Sequence, residues 1–286
     1  MAKIVVTGGS GKVGRFAVRE LLAHGYDVLN VDQQRPAEPL CPFMKAGLTE
    51  LGQVYGALRG AQAVIHLAAI PYPGGVPPEV VFGNNIMSTF NVVEAAIGLG
   101  LERVVFASSD SALGFPYASK RIVPEYVPVD EEHPVRPQDP YGLSKLVGED
   151  ICRAASRRSG MPTVALRFSW VNSPDEYVAH LPHVWDNPQL GPRNLWSYVD
   201  ARDAARACRL ALEARIEQFE AFHIAAADSY MNVPTPELFE RHFPEVSRFA
   251  AGWGGYQSSL TCRKAEALLG YRPEHSWRDH VPLAMG

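Results

Sequence analysis

Residues 3–14 read Lys3-Ile4-Val5-Val6-Thr7-Gly8-Gly9-Ser10-Gly11-Lys12-Val13-Gly14. The first five are a short, largely β-branched run, which predicts a strand. Val13, Phe16, Ala17, Leu21 and Leu22 then recur at helical spacing, so a helix follows. Between them Gly8, Gly11 and Gly14 fall at three-residue steps. A strand–loop–helix unit that holds a dinucleotide needs glycine at such steps. One turns the chain, one lets backbone approach a pyrophosphate, and one lets the helix pack on the strand. The helix N-terminus then offers its free N–H groups to the phosphates. Gly8, Ser10, Gly11, Lys12, Val13 and Gly14 form the candidate cradle. An ordinary tight turn is the plainer alternative, and the flanking strand and helix weigh against it.

Working outward, residues 27–31 form a second strand pattern, closed by Asp32. A carboxylate there can bond both hydroxyls of an adenosine ribose, and it would repel a 2′-phosphate, so NAD is favoured over NADP. Arg35 partly offsets this preference. The plainer alternative for Asp32 is a solvated strand-end acid. Leu48, Leu51, Val54, Tyr55 and Leu58 mark another helix, and 63–67 another strand. A Pro/Gly-rich stretch at 71–78 reads as loop. A long helix is predicted over 85–99 and a strand over 103–108. A Pro-rich, acidic stretch at 124–140 leads to a helix over 141–159 and a strand over 163–168. This alternation predicts an α/β fold, a doubly wound parallel sheet of Rossmann type.

Beyond 168 the alternation weakens. Residues 169–195 carry Pro, Trp and His with no long period. A helix over 200–214, a strand over 221–226 and a short helix over 262–269 follow, the last stopped by Gly270 and Pro273. The expected division is a Rossmann domain over 1–168 with about 196–226. A small substrate lobe would then come from about 169–195 and 227–286, lying over the carboxyl edge of the sheet.

Tyr141-Gly142-Leu143-Ser144-Lys145 opens the helix at 141. Residues i and i+4 share a helix face, so the phenol and the ammonium point into one space. A free tyrosine, with a pKa near ~10, is a poor base at neutral pH, and a nearby cation lowers that value. Tyr141 can then take a proton from a substrate hydroxyl as hydride leaves the same carbon. A serine would hold the substrate oxygen in line, and Ser108-Ser109-Asp110-Ser111 ends a strand where one is needed. A surface helix with this spacing by chance is the alternative, weakened by the glycine loop and the strand-end serines.

Composition narrows the partners. The 286 residues carry a formal net charge of -4, so no broad basic field draws the chain to nucleic acid or anionic lipid. The start runs straight into a strand, which predicts no signal peptide, and no segment has transmembrane length. Cys41, Cys152, Cys208 and Cys262 are scattered without metal-ligand spacing. Reduced thiols in a cytoplasmic protein are expected, and no metal.

The chain at this point resembles the extended short-chain dehydrogenase/reductases, the NAD-dependent epimerase/dehydratase family. The resemblance covers nearly its whole length. It rests in order on TGGSGKVG, Asp32, His66-Leu67-Ala68-Ala69, and Asn85 to Asn91 ahead of Glu94-Ala95. VVFASSDSALG and the highly specific VPVDEEHPVRPQDPYGLSK come next, then WSYVDARDAARA and TCRKAEALLGYRP. The resemblance implies NAD with a sugar or sugar-nucleotide substrate. It makes Tyr141 the base and sets Lys145 on the nicotinamide ribose. Ser109 would lie on the substrate oxygen, with Ser108 and Ser111 as alternatives. It adds Leu67, Ala68, Ala69, Asn85 and the N–H of Leu48 to the cofactor set. Gly47 departs from the pattern, standing where relatives have an acid near the adenine.

Other departures narrow the chemistry. Dehydratases of the family carry Thr-Asp-Glu at the strand end; Ser109-Asp110-Ser111 keeps the acid and loses the Glu, which argues against dehydration. The Arg-x-Phe-Asn stretch of many epimerases is here Arg167-Phe168-Ser169-Trp170-Val171-Asn172. The chain is also short for cradling a nucleotide diphosphate. The strand end, Ser-Ser and then Gly followed by Phe115, is most similar to uronate and aldose dehydrogenases. No arginine lies between Phe168 and Pro192 to meet a uronate carboxylate, leaving Arg193, His180 or His183.

Asp110, Ser111, Trp170 and Arg193 are taken as substrate-side residues. Trp170, Trp185 and Trp196 offer sugar-stacking faces or simple lobe packing. His66 is read as structural. Pro182 argues against a helical pair of His180 and His183. The helices at 85–99 and 141–159 would build a homodimer interface, as in relatives, or bury their apolar faces within the monomer. The leading expectation is an NAD-dependent sugar dehydrogenase. A redox-neutral epimerase is second, and a non-enzymatic NAD-binding protein is third.

Overall fold

The computed structural model describes residues 2–281. Its strands and helices run β1 Lys3–Thr7, α1 Lys12–Ala23, β2 Asp27–Asp32, β3 Phe43–Lys45, α2 Leu51–Leu58, β4 Ala63–His66, α3 Pro78–Leu99, β5 Arg103–Ser109 and α4 Pro140–Ser159. They continue with β6 Thr163–Phe168, β7 Trp170–Asn172, α5 Tyr177–Asp186, β8 Tyr198–Asp200, α6 Ala201–Glu213, β9 Phe219–Ile224, α7 Thr235–His242 and α8 Arg263–Leu269. Seven strands form one sheet in the order β3-β2-β1-β4-β5-β6-β9, and every pairing is parallel. The chain leaves β1 in one direction and returns to its other side with β4. That reversal opens a crevice at the carboxyl ends of β1 and β4, where doubly wound sheets bind ligands.

Alternation along the strands sorts the core. Ile4, Val6, Ile65 and Val105 face α1, α6 and α8, meeting Val18, Leu21, Ala204 and Leu269. Val5, Val64, Val104 and Phe106 face the other way, onto Val54 of α2, Val92 and Ala96 of α3, and Cys152 of α4. Both faces are covered, so the strands read as near-continuous apolar runs. A third cluster joins Leu113, Phe115, Val127 and Val129 to Tyr177, Trp196, Tyr198, Phe239 and Trp277 beyond the carboxyl edge. No helix among the described residues is long and apolar enough to cross a membrane.

The differences from the sequence reading have local causes. β3 is three residues long, too short to show a period. α3 begins at Pro78, inside the stretch read as loop. Proline is well placed in a first helical turn, where its missing N–H has no partner to lose. α5 contains Pro182, so His180 and His183 do share a helix, contrary to the reading of that proline as a break. They are not brought together: His180 Nδ1 lies 3.2 Å from Asn172 Oδ1, and His183 is exposed. α7 hides in the irregular C-terminal part, again with proline in its first turn. Among the described residues no three His, Cys, Asp or Glu side chains are grouped to hold a metal.

Candidate active site

The glycine loop sits at the crevice. Gly8 takes a left-handed φ of 73°, and a Cβ there would lie 2.6 Å from the amide nitrogen of Ala68. Only glycine lets the loop after β1 pass this close to Leu67–Ala68, the chain leaving β4. A Cβ on Gly14 would meet the carbonyl of Gly8 at 2.1 Å, so the first turn of α1 rests directly on the loop. Gly11 caps α1 with no side-chain bond to its N–H groups, which keeps those donors for a ligand.

Asp32 ends β2 beside this loop. Its carboxylate accepts from the Ser10 N–H (3.1 Å) and the Gln34 N–H (3.1 Å). Ser10 Oγ in turn donates to the Gln34 carbonyl. Glycine cradle, open helix N-terminus and strand-end acid form a set that fits a dinucleotide with an unphosphorylated ribose. Arg35 lies over the Phe43 ring at 5.6 Å. The Lys12 ammonium is turned away from the loop and is held by Glu176 (2.7 Å) and the Val171 carbonyl (3.2 Å). Its main chain, not its side chain, remains at the cradle. Leu48 follows β3 at the same edge, buried, with its carbonyl bonded by Asn91. Asn85 is also buried, and its amide brackets the Ile70 backbone, accepting from the N–H (2.8 Å) and donating to the carbonyl (3.0 Å). It supports the segment that carries Leu67, Ala68 and Ala69 from behind.

The second half of the site comes from β5 and α4. Asp139 caps α4, accepting from the N–H groups of Tyr141 and Gly142 at 2.9 Å each. A Cβ on Gly142 would lie 2.5 Å from the Ser111 carbonyl. The helix start is therefore pressed against the 3-10 turn Asp110–Leu113 that follows β5, which brings Tyr141 to Ser109. Tyr141 and Lys145 are both buried. The Lys145 ammonium donates to the Ala107 carbonyl (2.7 Å) and stands 5.5 Å from the centre of the Tyr141 ring. Burial pushes Lys145 down to about 8, with Glu149 opposing. Burial also pushes the Tyr141 phenol above its ordinary value, while the Ser109 hydroxyl pulls it down. The lowering of Tyr141 expected from Lys145 is outweighed in this arrangement: the ammonium stands beside the ring, but desolvation by burial dominates.

The strand-end serines separate cleanly. Ser108 Oγ donates to Glu149 (2.6 Å), whose carboxylate also takes two bonds from Arg167 at 2.8 and 2.9 Å. Ser109 Oγ bonds Asp110 and Ser111, each at 3.1 Å, and is the one beside Tyr141. The Glu149–Arg167 pair was not singled out in the sequence. Its signal was an acid one helical turn beyond Lys145 and a cation inside an apolar strand.

Asp110 is 7% exposed, and its Oδ2 has no hydrogen-bond partner. Burial raises its carboxyl to about 7, against the lowering bonds of Ser109 and Ser111. Its charge is felt by Tyr141, Tyr117 and Tyr230. Tyr230 bonds Asn194 (2.7 Å) and meets the Trp170 ring edge-on at 5.2 Å. Nothing in its irregular surroundings marked Tyr230 beforehand. Trp185 and Trp196 pack in the third apolar cluster instead, Trp185 bonding the Tyr230 carbonyl and Trp196 packing on Phe239 and Phe243. Arg193 is exposed at the end of the turn Pro188–Asn194. His66 is fully buried between Thr7 (2.7 Å) and Thr89 (3.3 Å), and burial holds it neutral, down to about 3.

Known proteins resemble this chain over most of its length. The L-arabinose 1-dehydrogenase (NAD(P)(+)) of Haloferax volcanii is 35% identical over 186 residues, 62% of this chain and 70% of its own. The UDP-glucose 4-epimerase of Lactobacillus helveticus is 26% identical over 321 residues, 98% of this chain and 94% of its own. Other curated relatives are matched over little more than half their length. A short-chain dehydrogenase/reductase superfamily protein from Agrobacterium tumefaciens, solved with bound NAD, shares the fold with a TM-score of 0.73. It is 24% identical, and the match covers 96% of this chain and 93% of its own. The model of the NAD dependent epimerase/dehydratase family matches residues 4–225, and the chain belongs to that family.

Proposed function

We propose that the protein is an NAD-dependent dehydrogenase that moves hydride between the nicotinamide and a carbinol carbon of a free sugar or related polyol. The observation that carries this reading is the convergence of Ser109, Tyr141 and Lys145 beside the glycine cradle. Bound NAD⁺ supplies the hydride acceptor. Ser109 turns its hydroxyl proton from Asp110 to the substrate oxygen and orients it, and Tyr141 exchanges a proton with that oxygen. The protonated phenol is set to deliver its proton to a carbonyl in the reductive direction; in the oxidative direction Tyr141 first loses its proton to solvent, and the tyrosinate then takes the proton of the substrate hydroxyl as hydride leaves the carbon. Lys145 supplies positive charge behind the phenol and a donor to the ribose. Asp32 favours NAD over NADP. Leu67, Ala68 and Ala69 line the cofactor side, with Asn85 positioning them.

A second reading is a redox-neutral sugar epimerase, favoured by the near full-length match to the Lactobacillus helveticus enzyme. The same residues would serve it. We place the working form as a homodimer through α3 and α4, where Val80, Met87, Phe90 and Leu143 are 42–45% exposed. We place the protein in the cytoplasm, which suits four cysteines without a disulfide. The test combines NADH absorbance with sugar analysis in the same wells, over free aldoses, uronates and sugar nucleotides. NADH rising with a free sugar, and lost in Tyr141→Phe, is the expected result. A changed sugar without NADH would make the protein an epimerase, and full turnover by Tyr141→Phe would remove Tyr141 from the chemistry.

A further inference from the structure

We infer that the carbinol substrate is a neutral sugar, and that Asp110 is the specificity-determining residue that admits it and excludes sugar acids. This rests on reading the site as a sugar oxidoreductase.

Asp110 opens the turn between Ser109 and Ser111, one residue from the hydroxyl that would orient the substrate oxygen. Its Oδ1 is occupied by Ser109, while Oδ2 is buried without a partner. A buried carboxylate oxygen without a donor is costly, and a ligand that brings one relieves the cost. A sugar hydroxyl brings a donor. The carboxylate of a uronate brings only acceptors and a second negative charge.

No lysine or arginine among the described residues is bonded to Asp110 to offset that second charge. The ionisable groups that feel Asp110 are the phenols Tyr141, Tyr117 and Tyr230. His180, a titratable base, stacks on Trp170 at 5.9 Å with its Nδ1 at Asn172. The nearest lysine along α4, Lys145, is directed to the Ala107 carbonyl. Lys12 is paired with Glu176, residues 169–192 contain no lysine or arginine, and Arg193, next in the chain, is exposed. The remaining wall suits a neutral ring. Trp170, half-buried and set edge-on to Tyr230, offers an apolar face to the C–H side of a pyranose.

The test is equilibrium binding to the NADH-saturated protein, read by tryptophan fluorescence and by calorimetry, with turnover scored separately. The probes are D-glucose, D-galactose and L-arabinose against D-glucuronate and D-galacturonate. Neutral sugars are expected to bind about 100-fold more tightly than the matching uronates, the size of effect that juxtaposing two like charges produces. Asp110→Asn keeps the shape and removes the charge, and should narrow the ratio to about tenfold or less, mainly through better uronate binding. In the wild type the ratio should be smaller at pH 6 than at pH 8, because a protonated Asp110 no longer repels a uronate. That arm needs no variant to fold. Uronates binding as well as neutral sugars, no sugar binding at all, or a ratio unmoved by both Asp110→Asn and pH would each overturn the inference. Selective binding of neutral sugars with no NADH formed from NAD⁺ would uphold it, and the dehydrogenase reading alone would fail.

Discussion

Lys145→Met should make the cofactor-free protein more stable while abolishing turnover. Lys145 is 4% exposed, and its ammonium has one hydrogen bond, to Ala107. Burial lowers it from 10.5 to about 8, and at about 1.4 kcal/mol per pH unit that costs the folded protein about 3 kcal/mol at neutral pH. Methionine removes the cost, keeps most of the side-chain volume, and leaves the Ala107 carbonyl unpaired, a loss of about 1 kcal/mol. The net gain is about 2 kcal/mol, or about 4 °C in melting temperature for a chain of this size. The sign with pH is specific. Between about 8 and 10.5 the unfolded lysine binds a proton that the folded one does not, so wild-type stability rises with pH across that window. The variant has no such group. Its advantage should be full below pH 8, shrink through the window, and vanish or reverse above it. Urea melts of both proteins at a series of pH values give the gap, and NADH formation gives the activity. A variant less stable at pH 7, or a gap that does not change with pH, would refute the account of Lys145 as a desolvated cation.

Two further perturbations follow from the same geometry. Glu149→Gln takes from Arg167, 6% exposed at its side chain, its hydrogen-bonded anion and leaves only the longer-range charge of Glu131 and Glu132, and should cost about 3 kcal/mol in urea unfolding; a loss below 1 kcal/mol would mean that the pair is not buried as described. Asn85→Ala removes two bonds to the Ile70 backbone, should cost about 2 kcal/mol of stability, and should weaken NADH binding about tenfold in a fluorescence titration. Unchanged NADH affinity would show that the segment after β4 holds its shape without Asn85.

Much of the site was legible in the residues because its physics is local. The cradle is a strand, three spaced glycines and a helix within twelve residues, and the Tyr141–Lys145 pair is one helical turn. Asp32 and the strand-end serines stand at the ends of strands whose apolar runs announce them. Where local signals conflict, the sequence misleads. Pro78 and Pro182 read as breaks, yet each lies in a helix, and β3 is too short to carry a period.

The sequence by itself determined the parallel sheet, the glycine-rich loop between β1 and α1 and the placing of Tyr141 and Lys145 on one helix face, since each follows from periodicity, glycine spacing or i, i+4 geometry. Tertiary structure alone decided how those groups are used. It gave Ser108 to Glu149 and left Ser109 beside Tyr141. It spent Lys12 on Glu176 and Asn85 on the Ile70 backbone. It raised Tyr141 where the isolated pair predicts a lowered phenol, and it left one oxygen of Asp110 unpaired beside Tyr230, more than a hundred residues away in the chain. Desolvation and long-range pairing depend on what packs around a group, and no spacing along the chain encodes that.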